Sequence, residues 1–329
     1  MRRIFGNRKF QIALNGGFAV ALLGVMIVGG RTFAHNGFAL RHADPLLVTG
    51  ATLLFLVAYA FKAWGWQRLF AAEDRPGAGV LAFAGGAACV GGVALPGRLD
   101  DALRIACVKR FPGVRTGLGA VALSLVVLGL LDNVALAPFS AVAAVHASSW
   151  TVRVGFLVVA VAGILAAALV ASLPKIAGRT YVMRFRLGRW LASNTHCNRR
   201  AAAALVFISV SWALRGTAVF LLLDALSMRS SFPLALAFLC ASAASAALPI
   251  APAGAATQAG AGSAILIASG VHAGAAIAFA VAAQVLVIGT GAMVLLVVAG
   301  WHFATRSRRH TLVTPTSAYL VPAVASRLQ

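Results

Sequence analysis

The strongest constraint on this chain is the recurrence of apolar runs of about 20 residues, the length a helix needs to cross the roughly 30 Å hydrocarbon core of a bilayer. Six such runs are unbroken: Phe10 to Gly30, Pro45 to Phe61, Gly117 to Val142, Val154 to Leu173, Ala201 to Leu223 and Gly274 to Trp301. Hydrocarbon offers no water to satisfy backbone N–H and C=O groups, so each run must be helical. The expected fold class is therefore all-α, a polytopic membrane helix bundle. With 61% hydrophobic and 11% charged residues, the chain lies outside the soluble globular range, which excludes a soluble enzyme and a disordered tail. The four cysteines, Cys89, Cys107, Cys197 and Cys240, have no paired spacing and read as structural rather than as a disulfide scaffold. The N-terminal run lasts about 20 residues with no small-residue cleavage site after it, so it is expected to be a retained helix and not a signal peptide.

Two further apolar regions carry proline and glycine near their middles. Ala78 to Arg110 is broken at Leu95-Pro96-Gly97, and Pro233 to Val271 is broken between Pro249 and Gly254, with Pro252 between them. The 28 Lys and Arg decide how these regions run, against only 7 Asp and Glu. If Ala78 to Leu95 crossed fully, Arg98, Arg104, Lys109, Arg110, Arg115 and the whole loop from Lys175 to Arg200 would be expelled, against the positive-inside rule. If both regions instead enter and leave on one side as re-entrant hairpins, 23 of the 28 basic residues fall on the cytoplasmic face, Lys62, Arg68 and Arg75 among them, with both termini. Each half then reads span, span, hairpin, span, in opposite orientation. The expected organisation is an inverted repeat, 1–145 and 146–304, with a cytoplasmic tail at 305–329. Such repeats with discontinuous helices place substrate sites near the midplane of transporters. The plainer alternative is that the prolines and glycines only kink closely packed spans.

Few residues can carry chemistry. Asp100 and Asp101 fall in the first turn of a helix opening near Gly97, with Arg104 three and four residues on. Read one way, this is a helix cap with a solvated ion pair. Read another, Arg98 and Arg104 face a cavity and hold a lipid phosphate, for which the guanidinium fork is suited. Asp132 stands inside an apolar run, where a lone carboxylate costs roughly 2.5 to 3.5 kcal/mol on insertion scales. Arg215 of a later span is its expected partner, as a structural ion pair or a gate, with Ser209, Ser211 and Trp212 forming a polar stripe beside it. Thr257, Gln258 and Gln284 supply hydrogen-bonding groups around the second break. The stretch from Gly178 to Arg200 interleaves arginines with Tyr181, Phe185 and Trp190, as in an amphipathic helix lying on an anionic leaflet. Between two spans, nucleic-acid binding is not expected of it. The histidines lack metal-ligand spacing, and no nucleophile elbow, Walker loop or HExxH motif occurs, so neither metal, cofactor nor enzymatic activity is expected.

The segment LPGRLDDALRIACVKRF, the span ending LLDNVALA and the late LPIAPAGAATQAGAGSAILIASGV together resemble the membrane region of the lysylphosphatidylglycerol synthase/flippase family, in order and spacing over nearly the whole chain. The family's first motif, roughly P-x-R-x-G-E-x-x-R, is met by Pro96, Arg98, Asp101 in the acidic place, and Arg104. Its Glu-Arg-x-x-Asp keeps Asp132, with Leu128 and Gly129 at the other two places. Its second break, P-G-G-x-G-x-x-E, keeps Pro252 and Gly254, while Ala259 takes the acidic position and Gln284 that of a usual Arg. The resemblance implies translocation or handling of a polar-headgroup lipid in a bacterial or archaeal cell membrane. The lipid partners it implies are anionic or aminoacylated phospholipids, polyprenol-linked sugars or hopanoids. Arg98, Asp101, Arg104, Asp132 and Arg215 are the expected headgroup or gating residues. The rival reading is a scaffold that positions an envelope-modifying enzyme and moves nothing.

Overall fold

A computed structural model describes residues 39–41, 43–92, 99–111, 114, 116–177, 198–228, 230–246 and 254–311. The expected span Phe10 to Gly30, most of the basic-aromatic stretch (178–197) and the tail beyond 311 lie outside these residues. So do Pro96, Gly97 and Arg98 of the first break, and Pro249 and Pro252 of the second. Among the described residues the regular elements are helices: α1 (Pro45–Arg68), α2 (Ala78–Gly91), α3 (Leu99–Arg110), α4 (Leu118–Val145), α5 (Trp150–Ala177), α6 (Asn198–Ala225), α7 (Phe232–Ala246), α8 (Gly254–Ala268) and α9 (Ala273–Thr311).

Five of them, α1, α4, α5, α6 and α9, are long and apolar enough to cross a membrane. They correspond to five of the six expected spans and run longer, since the apolar runs continue into polar residues that still favour helix. Helix α1 begins where Asp44 accepts the N–H of Leu46 at 2.8 Å and Pro45 supplies a fixed φ in the first turn. Helix α8 ends at Gly270, whose φ of 89° lets the Val271 N–H reach back to the Leu266 carbonyl at 3.0 Å.

The two broken regions are helical pairs. Helices α2 and α3 pack on each other, as do α7 and α8. With 12 to 15 residues each, these four limbs measure about 18 to 22 Å, short of a full crossing. The first pair starts and finishes at one end of the bundle: the Thr116 hydroxyl just before α4 donates to the Asp74 carbonyl just after α1, at 2.5 Å. The last turns of α9 reach the same end, where Phe111 packs on His302. The second pair belongs to the opposite end. There the Ser148 hydroxyl between α4 and α5 donates to the Ala268 carbonyl that closes α8, at 3.3 Å, and the Asp44 N–H before α1 meets the Ala225 carbonyl that closes α6, at 3.0 Å.

Helix α1 against α6 forms the most extensive of the long-helix pairs, with Gly65 facing Ala204, Phe207 and Ile208, and Gly50 facing Leu221. Around it the contacts come in matched sets: α2 on α9 and α7 on α4, α1 on α2 and α6 on α7, α3 on α4 and α8 on α9. In lipid, helices gain nothing from burying oil against oil, so small residues that permit close approach decide which faces meet. A Cβ on Gly86 of α2 would lie 2.5 Å from the Gly291 carbonyl of α9, and one on Gly163 of α5 would lie 2.5 Å from the Asn133 carbonyl of α4. The outward faces of α5 and α9 carry large exposed apolar side chains, among them Val158, Ile164, Leu165, Leu296 and Trp301. Among the described residues these faces are apolar, as lipid requires.

Candidate functional site

Polar groups gather inside, on a cavity of about 240 Å³. Both hairpin breaks border it. Gly92 and Asp100 come from the two sides of the first break, Ala246 and Gly254 from the two sides of the second. The hairpins from opposite ends share this one cavity. Its walls are completed by α1, α4, α6 and α9.

The intramembrane acid has a partner, and it is not the expected one. Lys62 of α1 donates to both oxygens of Asp132 of α4, at 3.1 Å and 2.9 Å. The indole N–H of Trp212 in α6 donates to the same carboxylate at 2.8 Å. Arg215 therefore does not pair with Asp132. One turn of helix beyond Trp212, its guanidinium lies over two aromatic rings instead, 5.1 Å from the Trp212 centroid and 5.5 Å from that of Tyr59. Lys62 also proves to be no loop residue: α1 continues through Arg68 and carries Lys62 on its inner face. The signal for this was the sequence Phe61-Lys62-Ala63-Trp64-Gly65-Trp66, where aromatic residues keep the apolar pattern running past the lysine. Tyr59 was missed for the opposite reason, since a tyrosine in an apolar run looks like core.

The acidic start of α3 behaves as its spacing predicts. Arg104 meets Asp100 at 3.3 Å and Asp101 at 2.8 Å, four and three residues back. Asp100 and Arg104 also line the cavity, so the ion pairs of the first alternative stand on its wall, while Arg98 of the second lies outside the described residues. Across the cavity the wall is uncharged. Gln284 of α9 donates a long 3.5 Å contact to the Gln258 side-chain oxygen of α8, and Ser242 donates to the Gln258 backbone carbonyl at 3.1 Å. Ala259 is buried beside them, without the carboxylate that the resemblance would place there. Ser211 of the polar stripe ties α6 to α1 by donating to the Ala58 carbonyl at 2.8 Å.

With five membrane-length helices among the described residues, two short helical pairs from opposite ends and a charged cavity between them, the chain is a multi-pass membrane protein with an internal polar site. The chain belongs to the family described as the lysylphosphatidylglycerol synthase TM region, which matches residues 12–297. Membership makes it an integral membrane protein of a lipid-associated family. No curated protein gives a match to the chain.

Proposed function

We propose that this protein translocates a polar-headgroup lipid, with the head passing through the shared cavity while the acyl chains stay in the bilayer. The observation that carries this reading is the convergence of Lys62, Arg104 and Arg215, from three different helices, on a cavity bordered by both hairpin breaks. Charged side chains inside a membrane are costly and normally serve a pathway or a ligand. Discontinuous helices supply polar backbone only where it lines such a cavity.

The matched helix contacts support an inverted repeat of residues 1–145 and 146–304, because exchanging the halves maps α1 onto α6, α2 onto α7, α3 onto α8 and α4 onto α9. Alternating exposure then comes from rocking one half against the other. The end of the bundle that carries Arg68, Arg75, Lys109, Arg110, Arg199 and Arg200 is assigned to the cytoplasm by the positive-inside rule, with both chain termini there, in the cell membrane of a bacterium or archaeon. One feature favours the accessory-protein reading: the uncharged wall at Ala259 and Gln284.

The test is reconstitution in vesicles with a fluorescent lipid that dithionite quenches only in the outer leaflet. Wild-type protein should expose inner-leaflet lipid faster than protein-free vesicles, and Arg104→Gln combined with Arg215→Gln should abolish the gain. Quenching equal to protein-free vesicles, together with a stoichiometric protein partner in pull-downs, would favour the accessory role instead.

A further inference from the structure

Among the described residues that line the cavity, Arg215 is the cation without a carboxylate partner. The chain has 7 Asp and Glu in all, and every one of them, Asp44, Glu73, Asp74, Asp100, Asp101, Asp132 and Asp224, is among the described residues. None pairs with Arg215. Asp132 is held by Lys62 and Trp212, and Asp100 and Asp101 by Arg104. Asp44 caps α1, and Asp224 accepts from Ser230, both at the far ends of helices. The Arg215 Nε–H is shielded from solvent and has no acceptor among the described residues. Tyr59 and Trp212 hold the guanidinium by their ring faces, which fixes its plane and leaves its N–H edge to a ligand. No segment outside the described residues has a side-chain carboxylate to offer it, so its N–H edge is open to an anion that enters the cavity.

The opposite wall asks for something different. Among the described residues Gln258 and Gln284 share a single long side-chain contact, so most of their amide donors and acceptors are open there. Thr257 and Ser245 spend their hydroxyl protons on the Gly254 and Ser242 carbonyls and keep lone pairs to accept with. Such a wall suits hydroxyl groups, which both donate and accept. It has no carboxylate for an ammonium group, and the carboxylates on the charged side are already engaged. We propose that the cavity selects a lipid whose head joins one phosphate diester to an uncharged, hydroxyl-bearing group such as glycerol or a sugar. The phosphate sits on Arg215 and the hydroxyls on the Gln258–Gln284 wall, and heads carrying an ammonium group are disfavoured. At 240 Å³ the space equals that of about eight waters, enough for a small head but not for a folded chain. The selection rests on the reading that a lipid head enters this cavity.

Native mass spectrometry of the purified full chain tests it directly. The protein is mixed with equimolar phosphatidylglycerol, phosphatidylmethanol, phosphatidylethanolamine and lysyl-phosphatidylglycerol of identical acyl chains. Phosphatidylglycerol should be retained most and the two ammonium-bearing lipids least. Arg215→Gln should lower phosphatidylglycerol retention on the order of tenfold, the factor that accompanies one charge-assisted hydrogen bond, with partial rescue by Arg215→Lys. Gln258→Leu with Gln284→Leu should keep phosphate binding but erase the preference for phosphatidylglycerol over phosphatidylmethanol, which lacks the hydroxyls. Ammonium-bearing lipids retained as well as phosphatidylglycerol by the unmodified protein, or unchanged retention by a folded Arg215→Gln, would overturn the proposal. Selective retention without movement in vesicles would remove translocation and leave the selection standing. Movement of all heads alike would do the reverse.

Discussion

Lys62, Asp132 and Trp212 bind three helices together through a single carboxylate, whose side chain is only 21% exposed. Removing one member strands the others in a poorly solvated place, whereas removing the charged pair together does not. Asp132→Leu is therefore expected to lower the melting temperature in detergent more than the double variant Lys62→Met with Asp132→Leu does. A double-mutant cycle should give a coupling on the order of 1–3 kcal/mol, as for residues sharing one network. Additive effects would mean that the pair contributes nothing beyond its separate parts. Asp132 stood out in the sequence because an acid inside an apolar run is conspicuous by itself. Its partner did not, because a span ending at Phe61 leaves Lys62 on the cytoplasmic face and Arg215 as the intramembrane cation, and the actual pairing depends on how far α1 runs and how α1 and α6 are rotated against α4. That is set by packing among residues 70 and more positions apart, which no local pattern records. The contacts of Arg104 with Asp100 and Asp101 were legible because helical spacing alone brings them together.

The helices meet where glycine allows backbones to touch. Gly86 and Gly85 are neighbours on α2, yet a Cβ at Gly86 would meet the Gly291 carbonyl of α9 at 2.5 Å, while at Gly85 nothing lies within 4 Å. A carbonyl of a packed helix cannot swing aside as a side chain can. Gly86→Ala should then destabilise the protein by about 1–3 kcal/mol, and Gly85→Ala should be neutral or stabilise by up to about 1 kcal/mol through its helix propensity. Thermal melts of the two variants side by side check this; equal melting temperatures would mean that α2 does not lie against α9 at Gly86. On α5 the same contrast holds between Gly163, tight against Asn133 and Ala137, and Gly155, which faces open space. The hairpins themselves were readable from proline and glycine inside apolar stretches too long for a loop. What proline could not tell is that both breaks point at one cavity, since that follows from α1 and α6 crossing between them.

For the whole molecule, the hydrogen bond from Thr116 to Asp74 and the one from Ser148 to Ala268 mark two opposite ends. In a variant stripped of its native cysteines, Ala72→Cys should resist a membrane-impermeant maleimide on intact cells, and Ser148→Cys and Ser269→Cys should react with it. Labelling of Ala72→Cys together with Ser148→Cys would contradict the hairpin topology. Among the described residues, Arg68, Arg75, Lys109, Arg110, Arg199 and Arg200 fall at one end of the bundle, whereas Lys62 and Arg104 line the cavity. The central claim is that a lipid head enters between the two hairpins, and photo-crosslinking with a phospholipid carrying a diazirine on its head tests it most directly. The expected result is adducts on the cavity segments of α1, α6, α8 and α9, around Tyr59, Arg215, Gln258 and Gln284, competed away by unlabelled lipid. Adducts spread instead over the outward faces of α5 and α9, at Ile164 or Leu296, and indifferent to competitor would contradict it.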